Sequence, residues 1–259
     1  MQLVRLETTP DVATLTLDNP STRNALSLDM MHQVTAAITQ AGATQARVVV
    51  LAASGPVFSA GHHLGELVGL TLPQATAFFE ACVAMIRAIR AIPQPVIARV
   101  HGPAAAGGCQ LVASCDLAVA ASSATFSLPG IRRGLFCHTP LVAVSRAVLP
   151  KRAFEMALTG EAITAEVAAQ WGLVNRCVPD DELDDAVASL IRLLVDEGSP
   201  YARGLGKQTF YAQVGLPEAQ AYELAVPMVS LNAVLPDAQE GFAAFVAKRA
   251  PHFTMGPHA

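Results

Sequence analysis

Apolar and polar positions change their period along this chain, and each change marks an element. Leu3 to Glu7 and Val12 to Leu17 alternate apolar and polar residues around Thr8-Thr9-Pro10-Asp11, a period of two that predicts a hairpin. Ser27 then precedes a run with helical spacing that reaches about Ala43, and its hydroxyl suits it to cap that helix. A short β-branched strand follows at Arg47 to Leu51. Pro73 fits the first turn of a helix over Gln74 to Ala91, which must stop before Pro93 and Pro95. Val96 to Val100, apolar and bounded by Pro95 and Gly102, predicts a buried strand.

After Val100 the chain changes character. Small residues lead to the pair Gly107-Gly108, and an apolar run with helical spacing begins there, so a strand feeds a tight loop into a helix. A helix start of this kind presents unpaired N–H groups and the positive end of a dipole. With no side chain at either glycine, an electron-rich oxygen can approach. A phosphate-binding P-loop is excluded, because Gly108-Cys109 stands where Lys and Ser or Thr are required. No G-x-G-x-x-G follows a predicted strand, and no G-x-S-x-G builds a serine nucleophile elbow. The blander reading is that the glycines only let a helix pack close to a strand.

Leu117 to Ala121 and Thr125 to Ser127 read as further strands, and from Pro140 onward the spacing is helical. The segments are Lys151 to Thr159, Thr164 to Gln170, Asp180 to Asp196, Pro200 to Val214, Pro217 to Ala233 and Ala238 to Arg249. The acidic run Asp180-Asp181-Glu182 after Pro179 is read as a helix cap and dipole match rather than as a metal site.

Composition narrows the classes. The 259 residues, 52% of them hydrophobic, suffice for one domain with a helical tail. A net charge of −4 without a basic patch argues against a nucleic-acid partner. No signal-peptide layout opens the chain and no apolar run is read as approaching membrane-spanning length, so no membrane partner and a cytoplasmic location are expected. The five cysteines are scattered, with no C-x-x-C, which disfavours a disulfide framework and a zinc site. Cys109 at a helix start has two readings, a thiolate nucleophile or a packed core thiol.

A second loop, Val57-Phe-Ser-Ala-Gly-His-His-Leu64, again places a small residue and a glycine after a predicted strand. Backbone N–H groups from two such loops, at Ala60 and Gly107, are what an oxyanion hole for a thioester carbonyl requires. With Asn19-Pro20, Asn24-Ala25-Leu26 and Phe245-Val-Ala-Lys-Arg-Ala-Pro251, these loops resemble the enoyl-CoA hydratase/isomerase (crotonase) superfamily over essentially the whole chain. The run Ala104 to Asp116 and Gly134-Leu-Phe-Cys137 are most similar to its enoyl-CoA hydratase domain-containing protein 3 group.

The resemblance implies an α/β fold: a crotonase (ClpP-like) spiral of ββα units over residues 1–199 and a helical C-terminal trimerisation region, 200–259, with the helices from Pro140 onward covering the site and mediating trimer formation. It implies an acyl-CoA thioester partner, a homotrimer or dimer of trimers, and a role in fatty-acid or other acyl-CoA metabolism. No metal and no cofactor beyond the coenzyme A of the substrate are expected. Arg23, Ala25 and Leu26, the loop Ala60, Gly61, His63 and Leu64, and Gly108 would hold the coenzyme A. Lys248 would reach that of a neighbouring subunit. Arg23 and Lys248 also read as solvated surface charges.

Hydratases of this family use two glutamates. Gln110 occupies the first position and Gly130, in Leu128-Pro129-Gly130, the second, and neither exchanges a proton. His62 and His138 remain as candidate acid–base groups, histidine being tuned for proton transfer near neutrality. Each also has a structural reading, as a loop or helix-capping residue and as a packed ring. His101 reads as structural. Three functions stay open: an enzyme acting on a CoA thioester, by hydration or by other enolate-forming chemistry (isomerase-, decarboxylase- or hydrolase-like) using His138 or His62, a silent acyl-CoA binder, and a purely structural subunit.

Overall fold

The alternating N-terminal residues form the expected hairpin, β1 (Val4–Thr8) antiparallel to β2 (Val12–Leu17), with Val4 opposite Leu17. The computed structural model describes residues 1–258. From β2 onward the main sheet is parallel, through β3 (Val48–Ala53), β4 (Val96–Val100), β6 (Leu117–Ala121) and β9 (Arg176–Val178). Between β4 and β6 the chain makes β5 (Ala104–Ala105), which pairs with β7 (Thr125–Ser127), and β7 pairs with β8 (Ala162–Thr164) in a second, three-stranded sheet.

A parallel strand covered on both faces is apolar at every position, which explains the unbroken Val48-Val-Val-Leu51. Val49, Leu51 and Ala98 point into the main core, shared with α1 (Leu28–Gly42) and α2 (Leu72–Ala91). Val48, Val50, Ile97 and Val119 point the other way. There they meet Leu183, Val187 and Leu190 of a helix over Leu183–Asp196, α7 below.

Ser27 caps α1, its Oγ accepting from the Met30 N–H at 3.1 Å. α2 starts earlier than its spacing shows, because Thr71 and Gln74 close a capping box. At 20 residues α2 is also long and apolar enough to cross a membrane by length and composition, which corrects the expectation that no such run exists. It is a core helix here, with Phe78, Cys82, Met85, Ile86 and Ile89 buried.

α3 (Gly107–Ser114) follows the glycine loop, and the remaining helices are α4 (His138–Ala147), α5 (Pro150–Thr159), α6 (Ala165–Trp171), α7, α8 (Pro200–Gln213), α9 (Glu218–Val234) and α10 (Pro236–Ala247). The acidic run forms a short 3-10 turn ahead of α7, and Asp180 Oδ1 accepts from the Ser122 hydroxyl and the Ser123 N–H. α8 is tied to the core by Lys207, whose ammonium lies 2.7 Å from Asp116. α9 buries none of its residues, and α10 leaves Phe242, Phe245 and Val246 exposed.

Candidate active site

The loop after β3 is stitched in place by one buried amide. Asn24 donates through Nδ2 to the carbonyls of Ser54 and Val57, each at 2.8 Å, and its Oδ1 accepts from the Asn19 N–H. Ser59 Oγ donates to the Asn24 carbonyl and accepts from the Gly61 N–H. Leu26 forms a parallel bridge across His62, donating to the Gly61 carbonyl at 2.8 Å and accepting from the His63 N–H at 3.1 Å. In such a bridge the N–H of the central residue faces away from the partner strand. Ala60, expected to present a free N–H, does not: it donates to the Arg23 carbonyl at 3.0 Å. The His62 N–H, by contrast, has no partner among the described residues.

The glycine loop is zipped to the first. Ser59 N donates to the Pro103 carbonyl, Ala105 N to the Ser59 carbonyl, and Ala106 N to the Ser127 carbonyl. The Gly107 N–H, first in α3, is again left without an acceptor among the described residues. It lies 3.1 Å from where a Cβ on Gly61 would stand, so the two free donors belong to abutting loops. Gly108 cannot carry a side chain, because its Cβ would collide with the Ser59 carbonyl oxygen. A Cβ at Gly107 would fall 2.8 Å from Leu26 Cδ1.

Ala106 holds φ 48° and ψ −112°, a region that residues with a Cβ rarely enter, and this turn sets the direction of the Gly107 N–H. Ala106→Gly is expected to raise stability by about 1 kcal/mol, the relieved strain exceeding the added chain entropy. A urea midpoint that stays put or falls would show that no strain is held there.

Beside these loops lies a cavity of about 590 Å³, and its far wall is the segment from Pro129 to Pro140. Two arginines, Arg23 and Arg133, and two histidines, His62 and His138, line it, and no aspartate or glutamate does. Leu64 and Phe79 add apolar lining. The helices beyond Pro140, expected to cover the site, line none of the cavity within one chain.

Burial drops the His62 imidazole to about 4, so the ring is neutral at pH 7 and a weaker base than the sequence suggested. It packs edge-on against Phe78 and Phe79, and its Nε2 is buried without a partner among the described residues. Because the folded value is depressed, the folded state binds fewer protons than the unfolded one between about pH 6.5 and 4. The stability that depends on a neutral ring is complete above that window and is lost as pH falls through it. His62→Gln is expected to shrink the loss between pH 7 and 4.5 by roughly 2 kcal/mol, read from urea unfolding at both values. Equal losses in the two proteins would contradict the buried, neutral ring.

His138 opens α4, lines the cavity and is exposed, its ring 5.0 Å from that of Phe136. Cys109 is not a thiolate: complete burial pushes its thiol up to about 12. His101 is structural, its Nε2 pairing with the Gly55 carbonyl at 2.7 Å.

Gln110 does not line the cavity, and its Oε1 faces Cys82 Sγ at 3.6 Å. Gly130 does line it, but a Cβ there would strike the Leu135 carbonyl oxygen and lie 2.8 Å from Cys137 Sγ. Ala25 is buried behind the first loop, and His63 turns from the cavity, with Nδ1 buried and unpartnered among the described residues. Lys248 is an exposed left-handed cap of α10, outside the cavity of its own chain. Phe79 and Arg133 were not among the expected site residues, and Phe136 entered only as a member of the motif Gly134-Leu-Phe-Cys137. Arg133 is next to the quoted motif Gly134-Leu-Phe-Cys137, the one signal that could have found it.

The chain matches the model of the enoyl-CoA hydratase/isomerase family over residues 7–256. It is 41% identical over 242 residues to the mitochondrial enoyl-CoA hydratase domain-containing protein 3 of Rattus norvegicus, covering 93% of this chain and 80% of the relative. A crystal structure of an enoyl-CoA hydratase from Mycobacterium smegmatis superposes with a TM-score of 0.94 at 42% identity, over 97% of this chain and 99% of that one. The crystal structure of human enoyl-CoA hydratase domain-containing protein 3 gives 0.90 at 40% identity, over 97% and 100%. The expected cytoplasmic location is overturned by these comparisons, because the rat, human and Danio rerio relatives are all named mitochondrial. The lack of a signal-peptide layout distinguishes no compartment on its own. The architecture is the α/β crotonase fold expected from the residues, and the chain belongs to the enoyl-CoA hydratase/isomerase family, in the crotonase superfamily.

Proposed function

We propose that this protein binds an acyl-CoA thioester and stabilises its enolate without hydrating it. The observation that carries the reading is the pair of unpartnered N–H groups on abutting loops, one on His62, which lines the cavity, and one on Gly107, which follows the lining residues Ala105 and Ala106 without lining the cavity itself. A thioester oxygen accepting from both gains roughly 3 kcal/mol per donor as charge builds on it. That lowers the barrier to removing the α-proton. In that step the C–H bond breaks, its electron pair forms the enolate double bond, the carbonyl π pair moves to oxygen, and His138 takes the proton. Arg23, at the cavity edge, faces a phosphate of coenzyme A, and no cofactor beyond that carrier is needed.

Hydration is outside this reading, because Gln110 and Gly130 supply no carboxylate and none lines the cavity. A silent acyl-CoA binder is the second reading, favoured by the neutral His62. Calorimetric titration with coenzyme A and acetyl-CoA tests binding, and loss of the α-proton of acetyl-CoA in heavy water tests chemistry. Binding with exchange that falls about 10²-fold or more in His138→Ala is expected. Binding without exchange leaves the silent binder, and no binding of either ligand sinks both readings.

The exposed apolar faces of α9 and α10, with Phe245 85% and Val246 81% exposed, support assembly into a trimer or a dimer of trimers. Lys248, carried on the same helix end, would then reach a neighbour's coenzyme A. Light scattering is expected to show the trimeric mass or twice it, and a stable monomer at micromolar concentration would refute this.

A further inference from the structure

We propose that the acyl group of the substrate carries its own negative charge, a carboxylate held by Arg133, an inference that rests on the acyl-CoA reading above. Two arginines, Arg23 and Arg133, both partly open to solvent, and no acid line the cavity. Arg132, the neighbour of Arg133, is neutralised by Glu161, whereas Arg133 makes no ion pair or hydrogen bond among the described residues.

The two cavity arginines are carried on segments bonded to the two donor loops. On one side, the Arg23 carbonyl is bonded to Ala60, two residues before His62. On the other, Ala106, one residue before Gly107, is bonded to Ser127, and the chain runs from there through Gly130 to Arg133. The two arginines thus come to the cavity on different segments, Arg23 with the loop of His62 and Arg133 with the wall from Pro129 to Pro140. The phosphates of coenzyme A account for Arg23. Nothing on the coenzyme A side accounts for Arg133, which lies on the wall that also holds Leu135, Phe136 and His138.

A guanidinium with no internal partner recognises a carboxylate by paired, charge-assisted hydrogen bonds, and its planar fork fixes the orientation of the anion. The apolar members of the same wall suit the methylene chain between thioester and carboxylate. The substrate class is thus a dicarboxylic acid esterified at one end to coenzyme A. With Arg133 holding the distal end and the loop donors holding the thioester oxygen, the α-carbon between them is fixed beside His138.

Succinyl-CoA and butyryl-CoA form a matched pair, a carboxylate replacing a methyl group on the same four-carbon chain. Calorimetric titration of both, with acetyl-CoA as reference, into wild type, Arg133→Gln and Arg133→Lys tests the assignment. In wild type succinyl-CoA is expected to bind at least about tenfold more tightly than butyryl-CoA, the effect of one charged hydrogen-bonded contact. Arg133→Gln should lose that preference while keeping its affinity for butyryl-CoA, and Arg133→Lys should retain part of it. Equal affinities in wild type, or a preference that survives Arg133→Gln, would overturn the role of Arg133 while leaving the acyl-CoA reading intact. Failure of all three thioesters to bind would overturn both.

Discussion

Crotonyl-CoA is expected to keep its conjugated double bond in the presence of this protein. Hydration needs one group to activate water and another to protonate the α-carbon, each worth about 10² to 10⁴ in rate. In a cavity lined by no carboxylate, turnover is expected to be lower by an order of 10⁴ or more than in a site holding both, paired groups contributing less than additively. Loss of the absorbance of the conjugated thioester measures this directly. Robust turnover that survives His138→Ala would show that the catalytic groups lie elsewhere.

Introducing glutamates at positions 110 and 130 is not expected to produce hydration, for a reason visible only in the structure. Gln110→Glu would place a carboxyl in a buried position facing Cys82, away from the cavity lining. Gly130→Glu would drive a Cβ into the Leu135 carbonyl, so the segment from Gly130 to Cys137 must rebuild before a carboxylate could reach the cavity. The glycine is part of how that wall folds, and the missing acid is a property of the whole turn.

Lys207→Met is expected to destabilise the protein by about 3 to 5 kcal/mol, the cost of stranding one member of a buried ion pair. The Lys207 ammonium lies 2.7 Å from Asp116 and donates to the carbonyls of Ile89 and Gln94, each at 2.8 Å. Asp116 also accepts from the Tyr211 hydroxyl at 2.8 Å and from the Val96 N–H at 2.7 Å. Side-chain exposure of 7% for Lys207 and 15% for Asp116 leaves little water to replace a lost partner. The network ties α8 to the start of β4, the strand that delivers the glycine loop. Asp116→Asn alone should cost less, and the double variant less than the sum, because the two changes remove one shared interaction. Urea unfolding with a loss below about 1 kcal/mol for Lys207→Met would contradict a buried, coupled pair.

The sequence was legible where period and capping agree. β4 and β6 fall where their apolar runs place them, β7 lies at the expected Thr125–Ser127, and Ser27 caps α1 as its position suggests. α4 gave no clear stripe: its buried residues are Pro140, Ala143 and Val144, while Val142 faces solvent, so its apolar spacing does not single out one face. β5, β8 and β9 are two or three residues long, and β7, no longer than β8 or β9, is the one strand of that length read from the sequence.

At the site, residue types were readable and directions were not. Ala60 and His62 are two residues apart on one loop, and only the bridge to Leu26 shows which N–H is free. The lowered His62 proton affinity depends on Phe78 and Phe79 of a distant helix, and the isolation of Arg133 on Glu161 having paired with its neighbour. Neither is a local pattern.

The claim on which the functional account turns is that the thioester oxygen accepts from the His62 and Gly107 N–H groups. The carbonyl stretch of acetyl-CoA, carbon-13 labelled at the carbonyl and recorded by difference infrared spectroscopy on the bound complex, reads that polarisation directly. A shift to lower frequency than in free acetyl-CoA, retained in His138→Ala because the donors are backbone groups, is the predicted result. An unshifted carbonyl in a protein saturated with the ligand would contradict it.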